Sequence, residues 1–541
     1  VNAGDLVRYF RLSADMPSDV MPPPPGQWTL GFAIFIAVGP AVGFAGVLIM
    51  YLIPEVSAVI APEYASSVVL LASGIAQMAM VLTPVVGDMA DKSQDFLGLI
   101  RNCNWLSAAT LLAMMGLVTL PDPATLPIPT MVAASNSSFT LFYDGVVLST
   151  GLFKIVIFYV LIFAQGFAFN AAMNLGLSLT GVWGTIYPNL STRFAAVGSL
   201  NAVLGNLVSA TIFGMVPITA GQPLLFVASL VWFALSDIIL KCCIPKRIMR
   251  PFDSLPVELR PPVATSTKKR SFWGSLADLG GQVKASIREL RGESYFALRW
   301  LTYGFSLSWA AIMTDSAYIL YFMEDQTSVG ADAATWAASI SVACMALVVF
   351  TIVPIGGYLD KVQRPITALF WTNAFMGCAM LTTILGYFNP LWVAFALLVV
   401  TLVSAILFMF LIPAFMKTTL YPEKLTRDML YGFACPPFAA FFISLALNHV
   451  LASFGTEEVE GRARPRYALQ GYIVVFSLVF LVSSLGLVCL CVSQASTRRR
   501  LEEELRNGRK LPVFLAFLKR QLEAVQLMRP NMPDQEMEIL L

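Results

Sequence analysis

The chain has 541 residues, 57% of them hydrophobic and 13% charged, with a formal net charge of +2. Soluble domains carry roughly 25% charged residues, so this composition excludes an ordinary soluble protein. One histidine and eight scattered cysteines without a CxxC pair exclude a histidine metal centre and a disulfide framework.

In chain order, residues 1–27 form a tail that ends in the stiff run Pro22–Pro25 and lacks the charged-then-apolar order of a signal peptide. Apolar runs follow at 28–53, 65–86, 103–120, 150–180, 194–217 and 223–243. They have the length a helix needs to cross hydrocarbon. They are not the roughly ten-residue alternating segments of a β-barrel. The loop 120–149 contains no Lys or Arg, and Asn136-Ser137-Ser138 within it is a glycosylation sequon. Residues 244–294 form a polar, basic linker. In it, Phe272, Leu276, Leu279, Val283 and Ile287 recur at helical spacing, as in a helix that lies on the membrane or packs beneath a bundle. Six more spans are predicted at 296–322, 334–356, 366–387, 391–418, 430–453 and 469–492, before a polar tail at 494–541. That tail ends in Glu536–Leu541, similar to an acidic dileucine sorting signal.

Lys and Arg set the expected orientation. They fill the 2–3 turn (Lys92, Arg101), the 4–5 turn (Arg193), the linker, the 8–9 turn (Lys361, Arg364), the 10–11 turn (Lys424, Arg427) and the start of the tail (Arg498, Arg499, Arg500). The other side has almost none, Arg462, Arg464 and Arg466 excepted. Both termini are therefore expected to be cytoplasmic, in a plasma, endosomal or vacuolar membrane.

The halves repeat. Gly87-Asp88-Met89-Ala90-Asp91-Lys92-Ser93-Gln94 follows span two, and Gly356-Gly357-Tyr358-Leu359-Asp360-Lys361-Val362-Gln363 follows span eight. Tyr187-Pro188 with Thr192-Arg193 after span four matches Tyr421-Pro422 with Thr426-Arg427 after span ten. The offset from Gly87 to Gly356 is 269 residues and from Tyr187 to Tyr421 is 234; the difference is about the length of the 120–149 loop.

Gly87–Gln94 resembles the signature of the major facilitator superfamily, and Tyr-Pro followed by Arg after span four is similar to its members. The basic residues that usually close the signature are replaced by Asp95 and Phe96. The resemblance implies an all-α polytopic membrane protein with twelve transmembrane helices in two six-helix bundles, at 28–243 and 295–493, related by a pseudo-two-fold. It also implies a gate made by Asp91, Lys92, Asp360 and Lys361 with Arg193 and Arg427. The competing reading of these residues is that they anchor loops and set topology.

A substrate site is expected near the midplane, lined by polar side chains that lipid does not tolerate. Gln165, Asn170 and Asn174 in span four, Asn201 in span five, Ser308, Trp309 and Asp315 in span seven, and Asn448 and His449 in span eleven are the candidates. Gly304, Ser308, Ala311 and Asp315 form a small-to-polar stripe suited to facing water. Asp315 reads either as a site for a proton or a cationic group, or as a solvated residue at the mouth.

No phosphate cradle or catalytic constellation appears, so neither an enzyme nor a cofactor is expected. The expected function is secondary-active or facilitative transport of a small organic solute, with H+ as a candidate coupling ion and no nucleic-acid partner. The alternative is a transport-inactive structural subunit or receptor, joined to a membrane-protein partner through the linker or tail.

Overall fold

The structure is a computed structural model that describes residues 24–47, 72, 74–76, 78–119, 150–187, 190–200, 204, 222–254, 281, 284, 288–359, 365–419, 424–457 and 466–507. Asn136, Asn201, Asp360, Lys361, most of the linker's amphipathic stretch and the tail beyond 507 lie outside these residues.

One described helix falls at each predicted span. In the first half these are α1 (Gln27–Val47), α2 (Thr83–Ser93, entered through a 3-10 turn at Ala79–Leu82), α3 (Phe96–Thr119), α4 (Thr150–Ile186), α5 (191–200) and α6 (Gln222–Cys242). In the second half they are α7 (Phe296–Gln326), α8 (Ala333–Leu359), α9 (Pro365–Thr382), α10 (Leu391–Thr418), α11 (Leu425–Ser453) and α12 (Leu469–Asn507). Among the described residues, the helices at α4, α9, α10, α11 and α12 are long and apolar enough to cross a bilayer. The 39 residues of α12 extend about 58 Å at 1.5 Å per residue. That overshoots a hydrocarbon core of roughly 30 Å, so the helix carries Arg498–Arg500 out of the lipid.

α1, α3, α4 and α6 pack together, and α7 to α12 form the second bundle, with α7 against α11 and α12. Contacts between the halves run from α11 to α2 and α4, and from α10 to α4. Lipid tails are as apolar as leucine, so helices in a bilayer associate through close packing and polar contacts. Gly304 of α7 faces α12 so closely that an added Cβ would lie 2.8 Å from Leu490 Cγ and 3.0 Å from the Gly486 carbonyl. Phe322 meets Tyr472 and Phe476 edge-on at 5.4 and 5.6 Å. Exposed apolar residues such as Val160, Phe350 and Trp371 face outward.

Asp237, near the end of α6, reads from the sequence as a snorkelling side chain. In the structure it pairs with Arg101 of α3 and ties the first bundle together. A short antiparallel pair, Thr456–Glu457 with Arg466–Tyr467, was not anticipated from the sequence. It is held to the end of α7: Asp325 accepts from Tyr467 N at 3.1 Å and Tyr472 OH at 2.6 Å, and Gln326 Nε2 donates to the Tyr467 carbonyl at 2.7 Å.

Candidate functional site

The start of α11 meets the signature of the first half. A helix begins with backbone N–H groups that have no partner within the helix, and Lys424, at the N-cap of α11, supplies no side-chain acceptor. The acceptor comes from the other half. Asp91 receives the N–H of Thr426 at 3.0 Å and of Arg427 at 2.8 Å. The signature aspartate is thus an N-cap in trans, placed against the positive end of the α11 dipole.

Gly87 explains the approach. A Cβ there would lie 2.6 Å from Arg427 Cα and 2.9 Å from Arg427 N, both backbone atoms. Burial pushes the Asp91 carboxyl, which lies beyond the apolar part of span two, up to about 8 against the pull of its hydrogen bonds to Thr426 and Arg427.

The side chain of Arg427 is nearly buried. It donates to Asp428 at 2.8 and 3.1 Å, to Glu289 at 2.6 Å and to Tyr295 OH at 2.9 Å, with its guanidinium over the Tyr295 ring. Lys424 joins the same Glu289. Partial burial works against the charge on Glu289, yet Lys424 and Arg427 hold its carboxyl down at about 2. The linker also supplies the Ile248 carbonyl to Trp183 Nε1 at 2.9 Å. It supplies Arg250 to Asp95 at 2.9 Å, while Asp95 accepts from Gly98 N at 3.1 Å at the start of α3. Where the signature usually ends in basic residues, this chain has a helix-capping acid held by the linker.

The second copy reproduces the shape. A Cβ on Gly356 would lie 2.8 Å from Ala196 Cβ and 3.3 Å from the Thr192 carbonyl, and one on Gly357 would lie 3.3 Å from Arg193 Nε. Each signature glycine therefore admits the first turn of a helix from the opposite half: α11 in one copy, α5 in the other. Both contacts lie at one end of the molecule. Gly181 of α4 faces Met429 and Ile412, and Gly356 faces Met409.

Of the expected gate residues, Asp91 and Arg427 act together across the halves and Arg193 lies at the second copy. Lys92 is exposed and pairs with Asp88 one turn back. Glu289, Tyr295 and Asp428 were missed. Asp428 was legible as an acid beside an arginine in the first turn of a helix, whereas Glu289 is one charge among many in the linker.

The expected substrate residues divide among separate environments. Gln165 accepts from Thr110 of α3, inside the first bundle. Asn170 Nδ2 lies 3.5 Å from the Ala76 carbonyl. Asn174 is buried, and among the described residues neither its Oδ1 nor its Nδ2 has a partner. It sits two turns before Gly181, on the face of α4 that meets α10 and α11. Ser308 donates to Gly304 O at 2.8 Å and abuts Gly486, so the small stripe of α7 is packed on α12 at this level and does not face water. Trp309 stacks on Phe305 at 6.2 Å. Asp315 is buried at 0% exposure without a hydrogen-bond partner for either oxygen. Asn448 and His449 are exposed near the far end of α11.

No protein-family model matches the sequence, and no curated protein matches it. Solved structures do match in fold. The human organic anion transporter MFSD10 (TETRAN) is 15% identical, with 86% of this chain and 100% of that one covered at a TM-score of 0.57. A bacterial homologue of the iron transporter ferroportin, in an outward-facing state, is 13% identical over 87% and 99% at 0.57. The major facilitator superfamily proton:xylose symporter XylE is 12% identical over 84% and 94% at 0.52. With the duplicated signature contact in place, this chain has the fold of the major facilitator superfamily, a multi-pass membrane protein of twelve helices in two six-helix bundles.

Proposed function

We propose that the chain is a secondary carrier of a small organic solute, a sugar, amino acid or related metabolite, working by alternating access. In this reading the signature end is cytoplasmic, 28–243 and 295–493 are the moving bodies, and 244–294 is the strap between them. The observation that carries it is the trans cap on α11. Two hydrogen bonds and a steric fit join the halves at one end, and the fit is repeated at α5. Each such bond contributes about 0.5–1.5 kcal/mol net, and water replaces it when the helix withdraws. A contact of that size can open and close repeatedly. The structural neighbours named as carriers of organic anions, iron and xylose support transport as the activity.

Asn174 is the residue assigned to the solute, because a buried amide with both ends unpaired is costly unless a ligand or water completes it. Hexoses, neutral amino acids and dicarboxylates, each radiolabelled, would be presented to proteoliposomes of the full chain, with Gly87→Val as the gate-defective control. Uptake of one class that Gly87→Val abolishes and Asn174→Ala weakens through KM is the expected result. Uptake equal to empty vesicles across the panel would favour the transport-inactive subunit.

A further inference from the structure

Asp315 is buried on the α7 stripe whose Gly304 and Ser308 pack against α12. Ser308 on that stripe abuts Gly486, and Phe322 meets Phe476 and Tyr472. Asp315 lies seven residues from each and on the same face. The polar pair in this layer satisfies itself. Ser483 Oγ donates to Asn373 Oδ1 at 2.9 Å, and Asn373 Nδ2 donates to the Ser483 carbonyl at 3.1 Å. On one flank of the stripe, Thr314 and Tyr318 reach Ser444 of α11, Tyr318 by donating to its carbonyl. Neither oxygen of Asp315 receives a hydrogen bond among the described residues.

Among the described residues no counter-charge is at hand. α8 and α9 hold no acidic or basic residue, and α10 holds only Lys417, at its last turn. α11 holds Arg427 and Asp428 in its first turn and the exposed His449 near its other end. α12 is free of charge until Arg498, and the other charges of α7 are Arg299, Glu324 and Asp325, near its two ends. Of the other titratable groups, Tyr472 of α12 is bonded to Asp325, and Cys344, Cys378, Cys435 and Cys489 carry no positive charge.

An isolated carboxylate in such surroundings costs tens of kcal/mol by Born solvation, whereas an unpaired neutral hydroxyl costs only a few. A metal ion needs several oxygen ligands at once; a proton needs none beyond the carboxyl itself.

From this geometry we infer that Asp315 is a proton-binding site enclosed within the second bundle, carrying one H+ while the signature end is closed. A proton from water forms one O–H bond on the carboxylate and cancels its charge, with no other reactant. The site goes beyond the assignment of Asn174 to the solute, since proton and solute would be held in different layers.

The test uses infrared spectra of the full chain in lipid at neutral pH and requires no solute. Failure to transport therefore leaves it standing, and its own failure leaves transport standing. Wild type should show the carbonyl stretch of a protonated carboxyl, shifted down in D2O. Asp315→Asn should remove that component, Asp315→Glu should retain it at a changed frequency, and Asp91→Asn and Asp428→Asn, which change carboxyls at the signature end, should leave it in place. Asp315→Glu decides the matter if Asp315→Asn does not fold. A wild type without the band, or a band that neither Asp315 variant alters, would overturn the site. So would stabilisation of wild type by Na+ that Asp315→Asn abolishes, since a metal ion would then occupy it.

Discussion

The two signature contacts are alike in shape, and the linker enters one of them. At Gly87 and at Gly356 the missing side chain lets a helix of the opposite half close in. At the first, the incoming helix brings Arg427, whose side chain is 4% exposed and held by Glu289 and Asp428. At the second it brings Arg193, half-buried along Gly357. Duplication explains the shared shape. The linker enters the first contact, where Glu289 joins Lys424 and Arg427. The comparison can be broken by mutating equivalent positions.

The largest difference is expected from the arginines. Arg427→Ala strands the fully buried Asp428, and removing one partner of a buried ion pair costs about 3–5 kcal/mol. Arg193→Ala, at a partly exposed position, should cost no more than about 1 kcal/mol. Thermal unfolding of the purified variants reads both. Equal losses would show that the charge asymmetry carries no energy.

The glycines come next. A methyl at position 87 meets backbone atoms of Arg427 at 2.6 and 2.9 Å, whereas at 356 it meets Ala196 Cβ at 2.8 Å and the backbone, at the Thr192 carbonyl, only at 3.3 Å. Gly87→Ala should hold the signature end open, and Gly356→Ala should do so less. Thr426→Cys, in a chain whose eight native cysteines are replaced, reports this as a rate of labelling by an impermeant maleimide. Faster labelling in Gly356→Ala than in Gly87→Ala would reverse the assignment.

Asp91 sharpens the comparison through pH. Its carboxyl sits at about 8 when the contact is closed and near the ordinary 3.8 once open and hydrated. Between those values the closed state holds a proton that the open state releases. Closing is therefore favoured as pH falls through about 8, and that contribution is lost as pH rises. Labelling at Thr426→Cys, expressed relative to a fully exposed cysteine at the same pH because the reacting thiolate fraction itself rises with pH, should be slower at about pH 6 than at about pH 9, and Asp91→Asn should remove that remaining difference. Asp91→Ala, which removes the cap, should cost about 1–2 kcal/mol. A rate that rises as pH falls would mean that the hydrogen bonds to the charged form outweigh burial.

The fold was legible because apolar runs of spanning length are a direct statement about lipid, and because the Gly-Asp signature and the Tyr-Pro/Thr-Arg pair recur in order. The contact between the halves was half legible. Asp91 and Arg427 stood at fixed offsets, but Glu289 reaches them from a linker whose many charges look alike in one dimension. The solute path was the least legible. Helical spacing put Gly304, Ser308 and Asp315 on one face, but periodicity cannot say which neighbour that face meets. In this structure it meets α12 through Gly486, so small residues that suit a wet crevice serve close helix packing. Gln165 is ambiguous in the same way: its amide oxygen accepts from Thr110 inside the first bundle, and a polar side chain in a span is satisfied as well by a neighbouring helix as by a solute.

The smallest expected effect lies beside the first contact, at Gln94. It ends α2 in the left-handed region, at φ 53° and ψ 22°, with its N–H donating to the Ala90 carbonyl at 2.7 Å. A residue with a Cβ is strained there and glycine is not. Gln94→Gly should therefore raise stability by about 0.5–1 kcal/mol, read as a small increase in Tm. Gln94→Ala, which keeps the Cβ, should give no increase. Because the turn follows Asp91 and its hydrogen bond stays within α2, labelling at Thr426→Cys should be unchanged in Gln94→Gly. An altered rate would mean that strain in this turn aims the Asp91 carboxylate at α11, making Gln94 part of the gate and not merely its terminus.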